Sequence, residues 1–404
     1  LQRKVQRVKK SLKDKRILHG ITGSIAAYKA VDLLRRMKEE GASVTPVMTD
    51  ASMRFLAPLS LEAASGNKAY SGLFEDPMAH ITLTRDADLM LVAPATANSI
   101  GKFANGIADD MLSTCFLSFR GRVVLAPAMN WRMYESPVFR RNLDYLKALG
   151  VTEVPPEKGP LACGEEGVGR MAAVEGILEA VRTAVTEADL SGRKIVVTAG
   201  PTREYIDAVR FISNRSSGKM GYALARVARR RGAEVALISG PSSLEPPPGV
   251  RFIPVGSASE MRSAVMKELK GASALIMAAA VTDFSPGARS ADKLEKASLK
   301  SLALEATPDI LKEAGGRRNR PLLVGFAAEA GDRRERAKKK LLEKGADIIV
   351  FNDITEPAGG FEADTNRIVI IEKDGEAAFP LLTKEEAAQA ILDRVSGILK
   401  GIKG

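Results

Sequence analysis

Cys163 sits in the stretch LACGEEGVGRM, residues 161–171, with Pro160 before it and Gly164, Gly167 and Gly169 after it. A free cysteine that serves only packing behaves as a small apolar residue inside a strand or helix. A thiol among glycines reads instead as part of a mobile flap, where it is either incidental or chemical. The one other cysteine, Cys115, reads as core. His80, in AHITL, is one of two histidines. An imidazole titrates near neutral pH and serves as a general acid or base, with packing as the alternative. His19 falls inside an apolar run and reads as structural. Asn130, in APAMNWRMY, follows a buried run, where its amide could bind a carboxylate or carbonyl, or cap a turn. Met129, Trp131 and Met133 read equally well as core. In ITGSIAAYK, the turn at Gly23, Ser24 and Ile25 exposes N–H groups that suit phosphate, although the G-x-G-x-x-G fingerprint is absent. SNRSSGKMG, residues 213–221, imitates a P-loop but has Ser213 and Met220 where that motif needs Gly and Ser/Thr. The lysines of DKLEKASLK, residues 292–300, read by themselves as a solvated loop.

These residues need a scaffold, and the periodicity supplies one. RILHGITG reads as a strand, residues 24–41 as a helix stopped by Gly41, and ASVTPVMTD as a second strand, which makes a βαβ unit. DLMLVAPA (88–95) and GRVVLAPAMN (121–130) are continuous apolar runs, as expected of strands covered on both faces. Both end in Ala-Pro-Ala, so 96–98 and 129–130 fall at the carboxyl ends of strands, where open α/β sheets bind ligands. The polar stretch TEADLSGR (186–193) reads as a linker. KIVVTAG then opens a second series: a helix in GYALARVARRRG and strands in AEVALISG, ALIMAAAV (274–281), PLLVGFAAE (321–329) and ADIIVFND (346–353). RIVIIEKDGEAAFPL reads as an antiparallel hairpin turning at Asp-Gly, and KEEAAQAILDRVSGILK as an amphipathic helix. The expected architecture is α/β: two doubly wound Rossmann-like domains, the first flavodoxin-like. The expected boundaries are a basic extension at 1–15, one domain at 16–189 and another at 190–404.

With 45% hydrophobic and 27% charged residues, the chain is that of an ordinary globular protein. No apolar run reaches the ~18 residues of a membrane span, no signal peptide is expected, and two distant cysteines make no disulfide framework, which fits a cytoplasmic location. Of the net charge of +11, residues 1–16 supply +7 through eight Lys or Arg against one Asp. So local a concentration reads as a frayed arm rather than a nucleic-acid face.

Taken together, GSIAAYK, AHI, APATAN, ANGIADDMLST, PAMNWRMY and ACGEEGVGRM follow the order and spacing of flavin-dependent cysteine decarboxylases. TAGPTREYIDAVRFISNRSSGKMGYALA resembles the signature of phosphopantothenate–cysteine ligases. From about residue 16 onward the chain resembles the bacterial bifunctional phosphopantothenoylcysteine decarboxylase / phosphopantothenate–cysteine ligase family of coenzyme A biosynthesis. The resemblance implies FMN in the first domain, at Gly23, Ser24, Ile25, Thr49, Pro94, Ala95, Thr96 and Asn98, extended by Ser113 and Thr114. It makes His80 essential, gives Asn130 the substrate carboxylate with Ala128, Met129 and Met133 nearby, and makes Cys163 the proton donor for the last step. The chemistry implied is oxidation of the substrate thiol to a thioaldehyde, whose C=S accepts the charge left by CO₂, then reduction of the enethiol. The glycines are expected to let the flap close over substrate.

For the ligase half the resemblance implies joining of cysteine to 4′-phosphopantothenate with CTP through an acyl cytidylate. Asn214 would orient that intermediate, and Lys293 on a strap would neutralise the triphosphate. Asp283 would contact nucleotide and Mg²⁺. Ser216, Ser217, Gly218, Lys219, Met277, Ala278, Ala279, Pro308, Asp309, Ile310, Phe326, Lys340 and Lys344 match further substrate or CTP contacts. Glu295 replaces the middle lysine of the usual strap, and Thr307 replaces the usual Asn before Pro308. The implied assembly has trimeric decarboxylase cores linked by ligase dimers, closing into a dodecamer. The rival expectations are a flavin decarboxylase of peptide C-terminal cysteine, a non-catalytic flavin-binding regulatory protein, and a nucleic-acid binder using residues 1–16.

Overall fold

The computed structural model describes residues 11–160, 164–295, 301–331, 333–353, 355 and 363–401. Cys163, and Lys296 of the strap, lie outside the described residues. The chain divides into two compact units between Thr186 and Glu187.

In the first unit β1 (Arg16–Ile21), β2 (Ser43–Met48), β3 (Leu89–Ala95), β4 (Arg122–Pro127) and β5 (Thr152–Glu153) form one parallel sheet in the order 2-1-3-4-5. Successive residues of each strand feed opposite cores. Ile17, Leu89, Leu91 and Val124 pack on one face, while Leu18, Met90, Val92 and Leu125 pack on the other. That double burial is why these strands are continuously apolar. The expected helix at 24–41 is split into a 3₁₀ turn, Ile25–Tyr28, and an α-helix, Lys29–Glu39. Two parts of the glycine-rich stretch are strands. Strands β6 (Glu157–Pro160) and β7 (Glu166–Arg170) pair antiparallel and bracket 161–163. The basic extension is also shorter than expected, because Leu12 is fully buried in the first core and the Asp14 N–H donates to the Gly41 carbonyl.

In the second unit the principal sheet is built from β8 (Lys194–Ala199), β11 (Glu234–Ser239), β12 (Arg251–Pro254), β13 (Ala274–Met277), β16 (Leu322–Glu329), β17 (Ile348–Asp353), β18 (Thr365–Glu372) and β19 (Gly375–Thr383). Its order is 12-11-8-13-16-17-18-19. The first six are parallel and the last two antiparallel. Small hairpins β9 (Arg203–Tyr205) with β10 (Phe211–Ser213), and β14 (Phe284–Pro286) with β15 (Leu304–Ala306), stand beside it. The strand expected at 274–281 stops at Met277. In the β18–β19 hairpin, Gly375 pairs with Glu372, so the turn is Lys373-Asp374 rather than Asp-Gly. The expected linker is docked: Leu190 is buried, and the Arg231 guanidinium grips Asp189 at 2.6 and 2.8 Å.

Both sheets reverse strand order beside their first strand. The reversal lies between β1 and β3 in one unit and between β8 and β13 in the other. Neighbouring crossovers leave on opposite faces there and open a crevice at the carboxyl ends.

Candidate active sites

At the first reversal, the Thr22 hydroxyl donates to the Pro94 carbonyl at 2.7 Å and accepts from the Thr96 N–H at 3.0 Å, tying the ends of β1 and β3 together. Two helical N-termini face the gap. Ser24 caps the 3₁₀ turn, and Thr96 caps the helix Ala97–Asn105 through the Ser99 N–H. Between them lies a cavity of about 610 Å³ whose wall includes Gly23, Ser24, Thr49, Thr96, Asn98 and Ala128, with Met129 and Met133 at one side. Gly23 is required by close approach, since a Cβ there would lie 2.5 Å from that of Ala51. The Thr49 hydroxyl is buried on this wall and has no hydrogen-bond partner among the described residues. A buried hydroxyl without a partner costs about 1–3 kcal/mol, so a ligand that pairs with it is favoured. Pro94 and Ala95 form the strand end behind the wall, and Ala95 is fully buried.

Ser113 and Thr114 do not line this cavity. Ser113 completes a capping box with Asp110, and the Thr114 hydroxyl donates to the Asp110 carbonyl at 2.8 Å. Asp110 and Asp109 in turn hold Lys102, a cavity residue, at 2.8 and 2.6 Å. Cys115 is core. Burial, with the nearby Asp110 charge, pushes its thiol up to about 12.

A second cavity of about 340 Å³ adjoins Ser24, Ile25, Met129 and Asn130. Asn130 caps the turn Trp131–Tyr134, its Oδ1 accepting the Arg132 N–H at 2.9 Å. The cap thus uses the amide oxygen of Asn130. Strand β7 is laid directly on this turn. The Met129 N–H donates to the Gly169 carbonyl at 3.0 Å, and a Cβ on Gly169 would stand 2.1 Å from the Met129 oxygen. Gly167 is similarly crowded by Trp131, whose indole N–H donates to Glu165 at 2.8 Å. Close contact with residues 129–131 thus requires glycine at both positions. Lys29 and Arg170 also line this cavity and were overlooked in the sequence, although GSIAAYK contains the first. Burial, then the Arg170 charge, lowers the Lys29 pKa, with Glu157 acting the other way. Met133 is half exposed rather than core. His80, half-buried on the helix Ala79–Asp86, lines neither cavity.

In the second unit a cavity of about 560 Å³ is lined by Pro201, Arg203, Ser213, Asn214, Ser216 and Ser217, among others. The Asn214 amide donates to the Ala280 carbonyl at 3.1 Å, and Pro201 bridges to Ala280, so Asn214 is pinned at the reversal. The positive φ of Gly218 (83°) starts the helix Lys219–Arg230, which has no side-chain cap and no acid in its first turn. Lys219 is ion-paired with Asp364 at 2.6 Å. Met277 ends β13 and accepts a contact from the Thr198 hydroxyl at 3.7 Å. That hydroxyl also accepts the Ala279 N–H at 3.1 Å, and Ala278 packs against the core.

A charged group gathers beyond this point. The Lys340 ammonium donates to the Phe326 carbonyl at 2.8 Å. Burial and Lys344 lower its pKa, with Asp283, Asp309 and Glu329 opposing them. Asp309, following Pro308, caps the turn that begins at Ile310 and is ion-paired with Lys344. Asp283 is exposed, and no three Asp, Glu, His or Cys side chains gather as a metal site among the described residues. Lys293 is exposed in the arm between β14 and β15. Asp207 moors that arm, a role the sequence did not suggest. Its buried carboxylate accepts the Leu294 N–H at 3.2 Å and the Val209 and Arg210 N–H groups at 2.8 and 2.7 Å, and the Arg210 guanidinium donates to the Leu294 carbonyl at 2.6 Å. Burial opposes ionisation of Asp207, but Arg210 and these N–H groups outweigh it and hold the carboxyl well below its ordinary range.

Residues 5–186 match the Flavoprotein family model, and residues 190–399 match the DNA/pantothenate metabolism flavoprotein C-terminal domain. Fold and family models thus define a flavoprotein domain followed by a second α/β domain of the pantothenate-metabolism flavoprotein type. The Coenzyme A biosynthesis bifunctional protein CoaBC of Bacillus subtilis is 43% identical over 399 residues, covering 96% of this chain and 98% of that protein. Its Escherichia coli K12 counterpart is 40% identical over 395 residues, covering 95% and 97%. The chain belongs to this family of bifunctional coenzyme A biosynthesis proteins. A solved C-terminal domain of a CoaBC protein is 42% identical, with a TM-score of 0.47, covering 53% of this chain and all of its own.

Proposed function

We propose that this chain couples cysteine to 4′-phosphopantothenate with CTP, through an acyl cytidylate, and then decarboxylates 4′-phosphopantothenoylcysteine to 4′-phosphopantetheine with FMN. The observation that carries the reading is family membership spanning both units, at 43% identity over 96% of the chain. The buried, unpartnered Thr49 hydroxyl and the helical N-termini around the first cavity fit a flavin phosphate or ring edge. Bound FMN would supply the two-electron oxidation and the matching reduction that make loss of CO₂ feasible.

The chain's own residues orient and transfer protons. Asn130 presents its NH₂ to the substrate carboxylate. Lys29 and Arg170 add positive charge to the same cavity and suit an anionic substrate. Cys163 is the proton donor of the reading, carried there by the sequence alone. His80 lines neither of the two cavities described in the first unit, and Phe74 and Met78, near it in sequence, are exposed. That placement favours a homo-oligomer in which another copy brings His80 to the flavin, and trimers joined by ligase dimers would close into a dodecamer. In the second unit Asn214 orients the acyl cytidylate, while Lys293, Lys340 and Lys344 neutralise phosphates. Asp283 alone offers Mg²⁺ one carboxylate, which suffices where substrate phosphates and water complete the sphere. The reading places the enzyme in the cytoplasm, with small-molecule partners rather than nucleic acid or membrane.

The test is incubation of the purified protein with 4′-phosphopantothenate, cysteine, CTP, Mg²⁺ and FMN, with products identified by mass spectrometry. Formation of 4′-phosphopantetheine is expected. Accumulation of phosphopantothenoylcysteine alone would remove the decarboxylase half, and no product would remove the ligase half.

A further inference from the structure

A buried carboxylate in the second unit has no part in the site as described so far. Glu204, the middle residue of β9, does not line the cavity at Asn214. Its Oε1 accepts the Ala258 N–H at 2.7 Å and the Thr282 hydroxyl at 3.1 Å. Ala258 opens the helix Ala258–Glu268, so the first bond satisfies an N–H that a helix start leaves over, at the positive end of its dipole. The second bond orders its neighbours. A carboxylate only accepts, so the Thr282 hydroxyl spends its one proton on Glu204. The Thr202 hydroxyl, 3.0 Å away, is then the donor to Thr282, and it accepts the Thr282 N–H at 3.0 Å in return. Glu204, Thr282 and Thr202 are 8%, 4% and 0% exposed, so water hardly competes for these bonds.

The chain of bonds reaches both sides of the ligase site. Toward the acyl substrate, β9 pairs with β10 at Glu204 and Ile212, and the Ser213 hydroxyl donates to the Thr202 carbonyl at 2.8 Å. The Thr202 N–H shares the Ala280 carbonyl with the Asn214 amide. Toward the nucleotide, the Thr282 carbonyl accepts the Thr307 hydroxyl at 2.5 Å, and the Asp283 carbonyl accepts the Thr307 N–H at 3.0 Å. Thr307 leads directly into Pro308 and Asp309. Residues 202–204, 280–283 and 307–309 thus meet around one carboxylate.

We propose that Glu204 is a positioning residue for acyl-cytidylate formation: through Thr282 and Thr202 its carboxylate fixes Asn214 relative to Asp283 and the turn at Asp309, and so aligns the acyl group with the nucleotide. It acts through these residues and not on substrate. The inference rests on the ligase reading, in which a carboxylate oxygen of 4′-phosphopantothenate bonds to the α-phosphorus of CTP and pyrophosphate leaves.

The experiment measures pyrophosphate release by the full-length protein from CTP, 4′-phosphopantothenate and Mg²⁺, with the CTP-binding sites of each preparation counted by calorimetric titration. Glu204→Met removes the acceptor at similar length. Misplacing positioned groups by ~1 Å can cost about 100-fold, so kcat per CTP site should fall by about ten- to a hundredfold. Both KM values should stay nearly unchanged, as when an interaction is lost only in the transition state. Glu204→Gln keeps an acceptor oxygen and should return kcat to within about threefold of wild type. Thr282→Val should reproduce the loss. The double variant Glu204→Met with Thr282→Val should be no slower than the slower single, because both break one chain of bonds. Losses that multiply overturn the inference, as does Glu204→Gln as slow as Glu204→Met. A purely structural role would lower the unfolding temperature and the number of CTP sites while leaving kcat per site at the wild-type value, and that result overturns it too. Should Glu204→Met fail to fold, Thr282→Val and Thr282→Ser decide: a slow Val variant beside a near-normal Ser variant supports the role, and equal rates overturn it. Wild-type protein that releases no pyrophosphate refutes the ligase reading and the positioning role with it, whereas active wild type with unaffected variants refutes the positioning role alone.

Discussion

The two units solve one architectural problem with different materials. Each places its cavity where a parallel sheet reverses strand order. In the first, backbone meets backbone with no room to spare: Gly23 against Ala51, and Gly169 against Met129. In the second, side-chain charges hold the parts together: Lys219 with Asp364, Lys344 with Asp309, and Asp207 with Arg210 and the arm carrying Lys293. Steric construction gives a site shaped before ligand arrives. The Lys219–Asp364 and Lys344–Asp309 pairs are partly exposed and individually weak, so their partners can be exchanged when phosphates enter. A flavin that stays bound suits the first design, and nucleotides that come and go suit the second.

The difference can be broken from either side. Gly169→Ala is expected to have the largest effect. Its Cβ would require the β7 strand to lift from Met129 and Asn130, and misplacing a positioned group by ~1 Å can cost about 100-fold. Decarboxylation of 4′-phosphopantothenoylcysteine should fall by that order, while ligation by the same preparation stays unchanged. Equal loss of both activities would mean the steric seal is not local.

Asp207→Asn tests the electrostatic design. It keeps the shape but removes the charge that holds Arg210, so the arm with Lys293 loses its mooring. A hydrogen bond to a charged group is worth about 1.5–3 kcal/mol. Ligase kcat/KM for CTP should therefore drop by about ten- to a hundredfold with decarboxylation intact. Wild-type ligase kinetics in this variant would show that the arm is positioned by other means.

Acid should separate the units too. His19 and His80 are the only histidines, and both lie in the first unit. His19 is fully buried, and that burial lowers its pKa to about 4, despite its hydrogen bond with the Ala93 carbonyl. Between about 4 and 6.5 the unfolded chain binds the extra proton. His19 thus contributes stability that is complete above pH 6.5 and lost as pH falls to 4, by an amount on the order of 3 kcal/mol. In the second unit Glu268, held to about 2 chiefly by Arg251, contributes stability that persists down to pH 4.5 and is lost only below it. Unfolding followed against pH should show the first unit weakening first, and His19→Gln should remove that early loss.

The smallest effect is expected from Thr49→Val. Deleting a buried, unpartnered hydroxyl should stabilise the ligand-free first unit by about 1 kcal/mol, and FMN retention should fall severalfold if the flavin is what pairs with that hydroxyl. Stabilisation with undiminished FMN binding would detach Thr49 from the cofactor site.

Much of the fold was legible because burial writes itself into composition. The apolar runs at β3 and β4 read as doubly covered strands, and they are. The β6–β7 hairpin was not legible, since EKGP and EGVGR have no strand pattern and are held by docking on residues 129–131. Leu12 was hidden within a basic arm for the same reason: one apolar side chain finds its pocket only in three dimensions. Ser113 and Thr114 matched a motif, and the structure adds that both hydroxyls donate to the Asp110 carbonyl at a helix start.

Local chemistry was therefore already present in the residue order: two α/β series, glycine turns entering helices, the amide of Asn130 and the family to which the chain belongs. Those features depend on neighbours a few positions away or on long matched motifs. What the folded chain alone decided is which groups meet across large separations. Asp364 reaches Lys219 over 145 residues, Leu294 hangs on Asp207 over 87, and Lys29 comes within 3.4 Å of the Met171 carbonyl over 142. No periodicity encodes such meetings, because they follow from the order in which strands are laid into the sheet.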